Sequence, residues 1–396
     1  MASPTSVHDR APARASLLYD PRVRGIVVQV VVAIALVLIV YWIIGNTTEN
    51  LQRANIASGF DFLGRRSGFD ISQTLIDYSA NSTFGRAILV GLANTILVAV
   101  IGIVTATIIG FLIGVGRLSR NWLISKICTV YVEVFRNIPP LLVIFFWYLG
   151  VLAVLPGARE SLDLPLGTYL NNRGFYMPMP IWGEGAWLIP VAFVIAIAMS
   201  FFVARKAHQR QMATGQRFPV LWTSLALIVG LPLLAFAATG FPLTFDMPEQ
   251  GSFNLVGGFS IKPEFLSLYL ALSFYTASFI AEIVRAGILG VSKGQTEAAH
   301  ALGIRPGPTL RLVIIPQAMR IVIPPLTSQY LNLTKNSSLA VFIGYPDLIQ
   351  TGQTTMNQTG QAIEVVAIWM LIYLGLSLST STFMNWFNAK MALVER

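Results

Sequence analysis

Few residues in this chain have the type and spacing to do chemistry, and none of them points to covalent catalysis. Cys128 is the single cysteine, and the three histidines, His8, His208 and His300, lie far apart. That leaves neither a Cys-rich zinc or iron–sulfur set nor a clustered metal centre. No G-x-S-x-G elbow and no H-E-x-x-H pair occurs. None of the six lysines follows a glycine, so the phosphate cradle G-x-x-x-x-G-K-[ST] is absent. The expectation is no catalytic residue, no metal and no cofactor, with any energy for transport coming from an ion gradient or a partner. Two groups of residues remain. One is the stretch from Gly294 to Pro306. The other is a set of charges inside apolar runs, Glu133, Arg136, Glu282, Arg285 and Lys335, with a polar run at Asn332, Thr334, Asn336, Ser337 and Ser338. Charge at membrane depth is costly and is usually paired or functional.

Gln295–Leu302 is rich in helix formers, and Gly303 is suited to end that helix in a left-handed conformation. A second element, 309–320, carries Ile315-Pro316 in its middle. A helix, a glycine stop and a turn of this kind can seat in a cleft on another protein. It can equally be an ordinary amphipathic loop helix, because Glu-Ala-Ala is a common helical triplet.

The elements that position these groups are membrane helices. Of 396 residues, 55% are hydrophobic and only 11% are charged, and the mean hydropathy is +0.66. Soluble domains carry about 25% charged residues, so this composition excludes a soluble enzyme, a disordered chain and a disulfide scaffold. The fold class expected is all-α integral membrane. Runs of about 20 apolar residues mark spans. They fall at 25–48, 87–116, 127–155 (interrupted by Glu133 and Arg136), 185–204, 218–240, 265–288, 321–343 and 365–389, which makes eight. With the N-terminus inside, 17 Lys and Arg fall in inside segments, 7 outside and three within spans. The positive-inside rule then places both termini in the cytoplasm and the 291–320 loop with them. The net charge of +9 reads as basic cytoplasmic loops, not as nucleic-acid binding. The first apolar run is too long for a cleaved signal and lacks a small-residue cleavage site. Gly110-x-x-x-Gly114 predicts close helix packing, Pro139-Pro140 and Pro324-Pro325 predict breaks or kinks, and Phe145–Tyr148 reads as an interfacial aromatic belt.

Spacing separates the two readings of the loop. Glu297-Ala298-Ala299, three residues, Gly303, nine residues, Val313, one residue, Ile315-Pro316 resembles the E-A-A-x3-G-x9-I-x-L-P signature of ABC importer permeases. The flanking Ala281–Ile288 and Leu331–Leu339, and upstream Tyr131–Leu141 and Gly91–Thr95, look like the polar amino-acid branch that imports histidine, glutamine or arginine. The resemblance covers about 86–150 and 265–390, and implies an ABC importer type I permease core. An extra first span with its loop, and an insertion with two more spans, look like the first of the two membrane subunits of general L-amino-acid permeases. The organisation expected is a cytoplasmic tail at 1–20, an added span and periplasmic loop at 21–85, core at 86–150, insertion at 151–264, core at 265–390 with the loop 291–320, and a tail at 391–396.

The resemblance implies a bacterial inner-membrane permease that moves polar L-amino acids by alternating access. The implied partners are a second homologous permease subunit, two ATPase subunits, a periplasmic binding protein and membrane lipid. Glu297, Ala298, Ala299, Gly303, Arg305 and Pro316 would couple to the ATPase. An amino-acid zwitterion needs a cation and an anion acceptor, or helix ends in those roles. Arg136, Arg285 and Lys335 could take the carboxylate, and Glu133 or Glu282 the ammonium. Snorkelling to the interface accounts for several of these charges equally well. The polar run 332–338 is the better pathway candidate. An ion-driven secondary transporter or a structural membrane subunit are the alternatives. Neither gives the Glu-Ala-Ala loop a role.

Overall fold

A computed structural model describes residues 21–53, 58–216 and 218–391. The tail at 1–20, and 391–396 apart from the backbone of Met391, lie outside the described residues. The long apolar runs, rich in Val and Ile, still become helices because a backbone in lipid must satisfy its own hydrogen bonds. The helices are α1 (Pro21–Arg53), α2 (Phe84–Gly116), α3 (Trp122–Asn137), α4 (Pro140–Phe145, continued by a π-helical turn to Leu152), α5 (Leu188–Thr214), α6 (Val220–Ala238), α7 (Pro263–Leu289), α8 (Lys293–Ala301), α9 (Pro306–Thr309, then a π-helical turn to Ile314), α10 (Ile315–Asn336, then 3₁₀ turns to Ile343), α11 (Leu348–Thr359) and α12 (Ala362–Met391). Among the described residues seven helices are long and apolar enough to span a membrane, or eight if the bent pair α3–α4 counts as one.

That pair corrects the expected third span at 127–155. The chain turns by 110° between Asn137 and Pro140. The cause is local. Proline forces the residue before it into extended backbone, here Ile138 with φ −103° and ψ 133°, and Pro140 then opens the next helix at its first position. Pro324 and Pro325 do the opposite of what their type suggests and lie inside α10, which continues through them.

The core is built from α2, α3, α4, α7, α10, the 3₁₀ turns after α10 and the Met384 face of α12. α2 and α7 approach closely at the two glycines of the Gly110–Gly114 pair. A Cβ on Gly110 would stand 2.6 Å from Ile280 Cβ, and one on Gly114 2.7 Å from the Ala281 carbonyl. Leu268, Leu272, Ile280, Ile323 and Leu333 fill the space between these helices. α1 is exposed along nearly its whole described length and packs on none of this. Helices α5 and α6 pack chiefly on each other.

Short strands, unmarked by any long period-2 pattern, flank the α5–α6 hairpin. They are β1 (Leu162–Leu164), β2 (Thr168–Asn171), β3 (Gly174–Met177), β4 (Met179–Trp182), β5 (Leu243–Asp246), β6 (Glu249–Gln250), β7 (Leu255–Val256) and β8 (Phe259–Ile261). β1-β2-β3-β8 form one antiparallel sheet, and β4–β5 and β6–β7 two small pairs. Strands before the hairpin thus pair with strands after it, and the return strand β8 leads directly into α7.

Candidate functional site

Three places on the molecule carry the polar groups singled out in the sequence. The first is the segment between α7 and α10. Helix α8 ends in a left-handed turn, with Gly303 at φ +71°. The amide of Ile304 donates to the Ala299 carbonyl at 3.0 Å and that of Gly303 to the His300 carbonyl at 2.9 Å. These two bonds make a Schellman motif, which closes the helix end without help from side chains. Ala299 is buried, whereas Glu297, Ala298, Gly303 and Arg305 are exposed. Leu302 and Leu312 are 79% and 71% exposed. Gln317 Nε2 donates to Gln295 Oε1 at 3.2 Å and ties α8 to α10. Pro316 lies just past the π-helical turn Leu310–Ile314, within one continuous helix from 306 onward, and the wider turn accommodates its missing N–H. The result is a rigid, solvent-facing helix with apolar tips, connected to two core helices.

The second is the cluster around Glu282. Its carboxylate accepts from Arg117 Nη1, and from Arg285 Nη2 at 2.5 Å. Arg136 lies 3.9 Å away, and Glu133 lies 4.0 Å from Arg117. These charges therefore compensate one another at the end of α7 nearest α8, joining α2, α3 and α7. Arg117, the central donor and the least exposed of the set, was missed by sequence reasoning because it sits in a loop-like run after α2.

The third is the run 332–338, which helix periodicity divides. Thr334 Oγ1 donates to the Tyr330 carbonyl at 2.9 Å, Ser337 Oγ to Thr334 O at 2.8 Å and Ser338 Oγ to Lys335 O at 2.7 Å. Thr334 and Ser337 are buried and Asn336 half-buried. Asn332 and Lys335 are exposed, one turn apart, in line with exposed Ser328 and Pro325. A polar stripe of this kind on a spanning helix does not face lipid; it lines water or a partner chain. The aromatic run divides in the same way. Phe146 is 60% exposed, but Trp147 turns inward and stacks on Phe274, 5.8 Å between ring centres. That corrects its reading as a simple interfacial belt.

A buried polar clasp was not foreseen. Asn94 Nδ2 donates to the carbonyls of Gln73 (2.9 Å) and Pro346 (2.8 Å), and the Leu348 amide donates to Thr95 Oγ1 at 3.0 Å. Asp347, fully buried, caps α11 by accepting from the Gln350 amide at 2.8 Å. Burial raises its carboxyl to about 7, only partly offset by the backbone amides of Gln350 and Ile349. The Asp-x-x-Gln spacing before α11 was the available signal.

Comparison with known proteins follows the same lines. Residues 188–393 match the family described as binding-protein-dependent transport system inner membrane component. Over 392 residues the chain is 64% identical to the general L-amino acid transport system permease protein AapQ of Rhizobium johnstonii, covering 99% of this chain and 98% of that protein. It is 49% identical over 391 residues to the putative amino-acid ABC transporter permease protein YhdX of Escherichia coli, covering 98% of this chain and all of the relative. It is 43% identical over 417 aligned positions to the glutamate/glutamine/aspartate/asparagine transport system permease protein BztB of Rhodobacter capsulatus, covering 96% of each.

Proposed function

The chain belongs to the family of inner membrane components of binding-protein-dependent transport systems, and from that membership we propose that it is the permease subunit of an ATP-driven importer of polar L-amino acids. It carries no ATPase of its own, and hydrolysis resides in a separate subunit. The observation that carries the reading is the α8 segment: an exposed helix, closed by a Schellman turn, tied to α7 and α10 and offering apolar tips for a cleft.

In this reading Glu297, Ala298, Gly303 and Arg305 meet the ATPase, Ala299 anchors the helix to its own body, and Pro316 lies in the helix that takes up the motion. ATP-driven closure of an ATPase dimer displaces α8. The displacement passes along α7 and α10, because the Gln295–Gln317 bond and the short connections leave α8 little independent freedom. The spans open outward to receive substrate from a periplasmic binding protein, and hydrolysis resets them. Lys335 and Asn332 then line the pathway against a second, homologous permease subunit. Glu282 and Arg285 serve as a charge-compensated brace among α2, α3 and α7. The core comprises 86–150 and 265–390, the segment 151–264 is an insertion, and both termini face the cytoplasm of a bacterial cell.

The test is reconstitution of the permease pair, ATPases and binding protein in liposomes with ATP on the ATPase side. Labelled amino-acid uptake that requires ATP is expected. Glu297→Lys is expected to abolish uptake and ATPase co-purification while the permease stays in the membrane. Uptake that follows an ion gradient without ATP, or normal ATPase association of Glu297→Lys, would overturn the assignment.

A further inference from the structure

At the far end of α7 from α8, a cleft of about 530 Å³ opens between the insertion and the core. It is lined by Arg173 and Asn172 from the β2–β3 turn, Asn254, Lys262 and Glu264 at the start of α7, and Tyr148 from the turn after α4. We infer that this cleft is a binding site for an acidic L-amino acid, a vestibule supplied by the insertion.

The construction favours a site over an accidental gap. Asn171 pairs with Gly174, so Asn172 and Arg173 form a two-residue hairpin turn. The Asn171 Oδ1 accepts from the Arg173 amide at 2.8 Å and holds the turn. Gly174 lets the hairpin lie against β8: φ is +132°, and a Cβ there would stand 2.2 Å from the Ile261 carbonyl. Phe175 pairs with Ile261, which sets the Arg173 turn beside Lys262. A positioned turn from the insertion therefore meets the first residues of a core helix.

The charges there are unmatched. Arg173, on the exposed hairpin turn, donates from Nη1 to the Phe253 carbonyl at 2.9 Å, and the rest of its guanidinium has no partner among the described residues. The Lys262 ammonium, on a half-buried residue, makes no hydrogen bond or ion pair among the described residues. Glu264, also half-buried, has only the Tyr148 hydroxyl, at 3.4 Å. Around Glu282, by contrast, such groups are paired. Uncompensated charges gathered in one cleft, two of them on half-buried residues, favour a ligand that brings the opposite charges. Two cations and one carboxylate complement two carboxylates and one ammonium. That is the charge pattern of aspartate or glutamate. A neutral amino acid leaves one cation unmatched.

The inference rests on the permease reading, and its test separates the two. Whole complexes of permeases and ATPases, without binding protein, are placed in nanodiscs and titrated with labelled glutamate and glutamine. Saturable glutamate binding is expected, tighter than glutamine. Lys262→Met is expected to weaken glutamate by about tenfold or more, the scale of one charged hydrogen bond, and Lys262→Arg to restore it. Matched melting temperatures of the variant complexes establish that the loss is local. Glutamate affinity unchanged in Lys262→Met, or binding seen only when the binding protein is present, overturns the site and leaves the permease reading standing. If wild-type complexes supplied with binding protein and ATP move no amino acid, it is the permease reading that fails.

Discussion

Two residues show how single positions decide behaviour here. Gly303 holds φ +71° with open space where a Cβ would be, so substitution there is a matter of backbone strain and not of crowding. A β-branched side chain disfavours that conformation by about 1–2 kcal/mol. Gly303→Val is therefore expected to unravel the end of α8 and lower ATPase co-purification and uptake while the permease remains inserted. Pull-down from membranes checks it, and Gly303→Asn, which tolerates the left-handed region, is expected to retain most of both. Asp347 gives a pH signature. Its carboxyl is raised from 3.8 to about 7 by burial in the folded state, so the folded chain holds a proton that the unfolded chain gives up. Its contribution to stability is full below about pH 4, falls as pH rises to about 7 and is flat above. Asp347→Asn keeps a side-chain oxygen for the α11 cap and is expected to remove that slope. Melting of the detergent-solubilised protein from pH 5 to pH 8 reads it.

At the scale of elements, the packing of α2 on α7 depends on having no side chain at Gly110 and Gly114. Gly110→Val would drive a methyl into Ile280 and the Ala277 carbonyl, which stand 2.6 and 2.9 Å from the Cβ position. Overpacking of this kind costs about 1–3 kcal/mol. A clear fall in melting temperature is expected. Gly230→Val on α6 is expected to leave it nearly unchanged, since nothing lies within 4 Å of that Cβ. The contrast follows from position, because both glycines lie in apolar helices that look alike in composition. Helix α8 makes the complementary point. In the proposed coupling its effect on the spans runs through the Gln317–Gln295 bond, the packing of buried Ala299 and the chain connections. Gln317→Ala is thus expected to weaken the coupling of ATP hydrolysis to uptake more than it weakens ATPase binding, as measured by the ratio of ATP hydrolysed to amino acid moved.

On the scale of the whole molecule, a packed helix cluster is accompanied by apolar helices with few or no buried residues. α1 offers its side chains outward along nearly its entire described length, without buried residues in its apolar window. Exchanging residues 24–50 for an unrelated apolar helix of equal length is expected to leave uptake unchanged within about twofold, consistent with a surface that meets lipid rather than protein. The segment 151–264, proposed as an insertion, differs. Its strands pair across the α5–α6 hairpin and deliver β8 to the start of α7, so its sheet is joined to the core where its spans are not.

The sequence by itself determined that this is a membrane protein and where most of its spans lie, and it singled out the 291–320 loop that we propose as its docking element. Those conclusions rest on hydropathy and local spacing, and lipid makes helix nearly obligatory for a long apolar run. The helix stop at Gly303 was legible because a left-handed turn is set within one turn of chain. Only the tertiary structure decided which polar residues pair and which stay open. Glu282 and Lys335 look equally available as letters, yet three arginines surround the first and the second stands on an exposed face. The 110° turn at Pro139-Pro140, the continuity of α10 through Pro324-Pro325, and the meeting of Arg173 with the start of α7 were likewise beyond the sequence. Each depends on contacts between segments far apart in the chain or on how neighbouring helices compensate a lost backbone bond, and local periodicity carries no record of either.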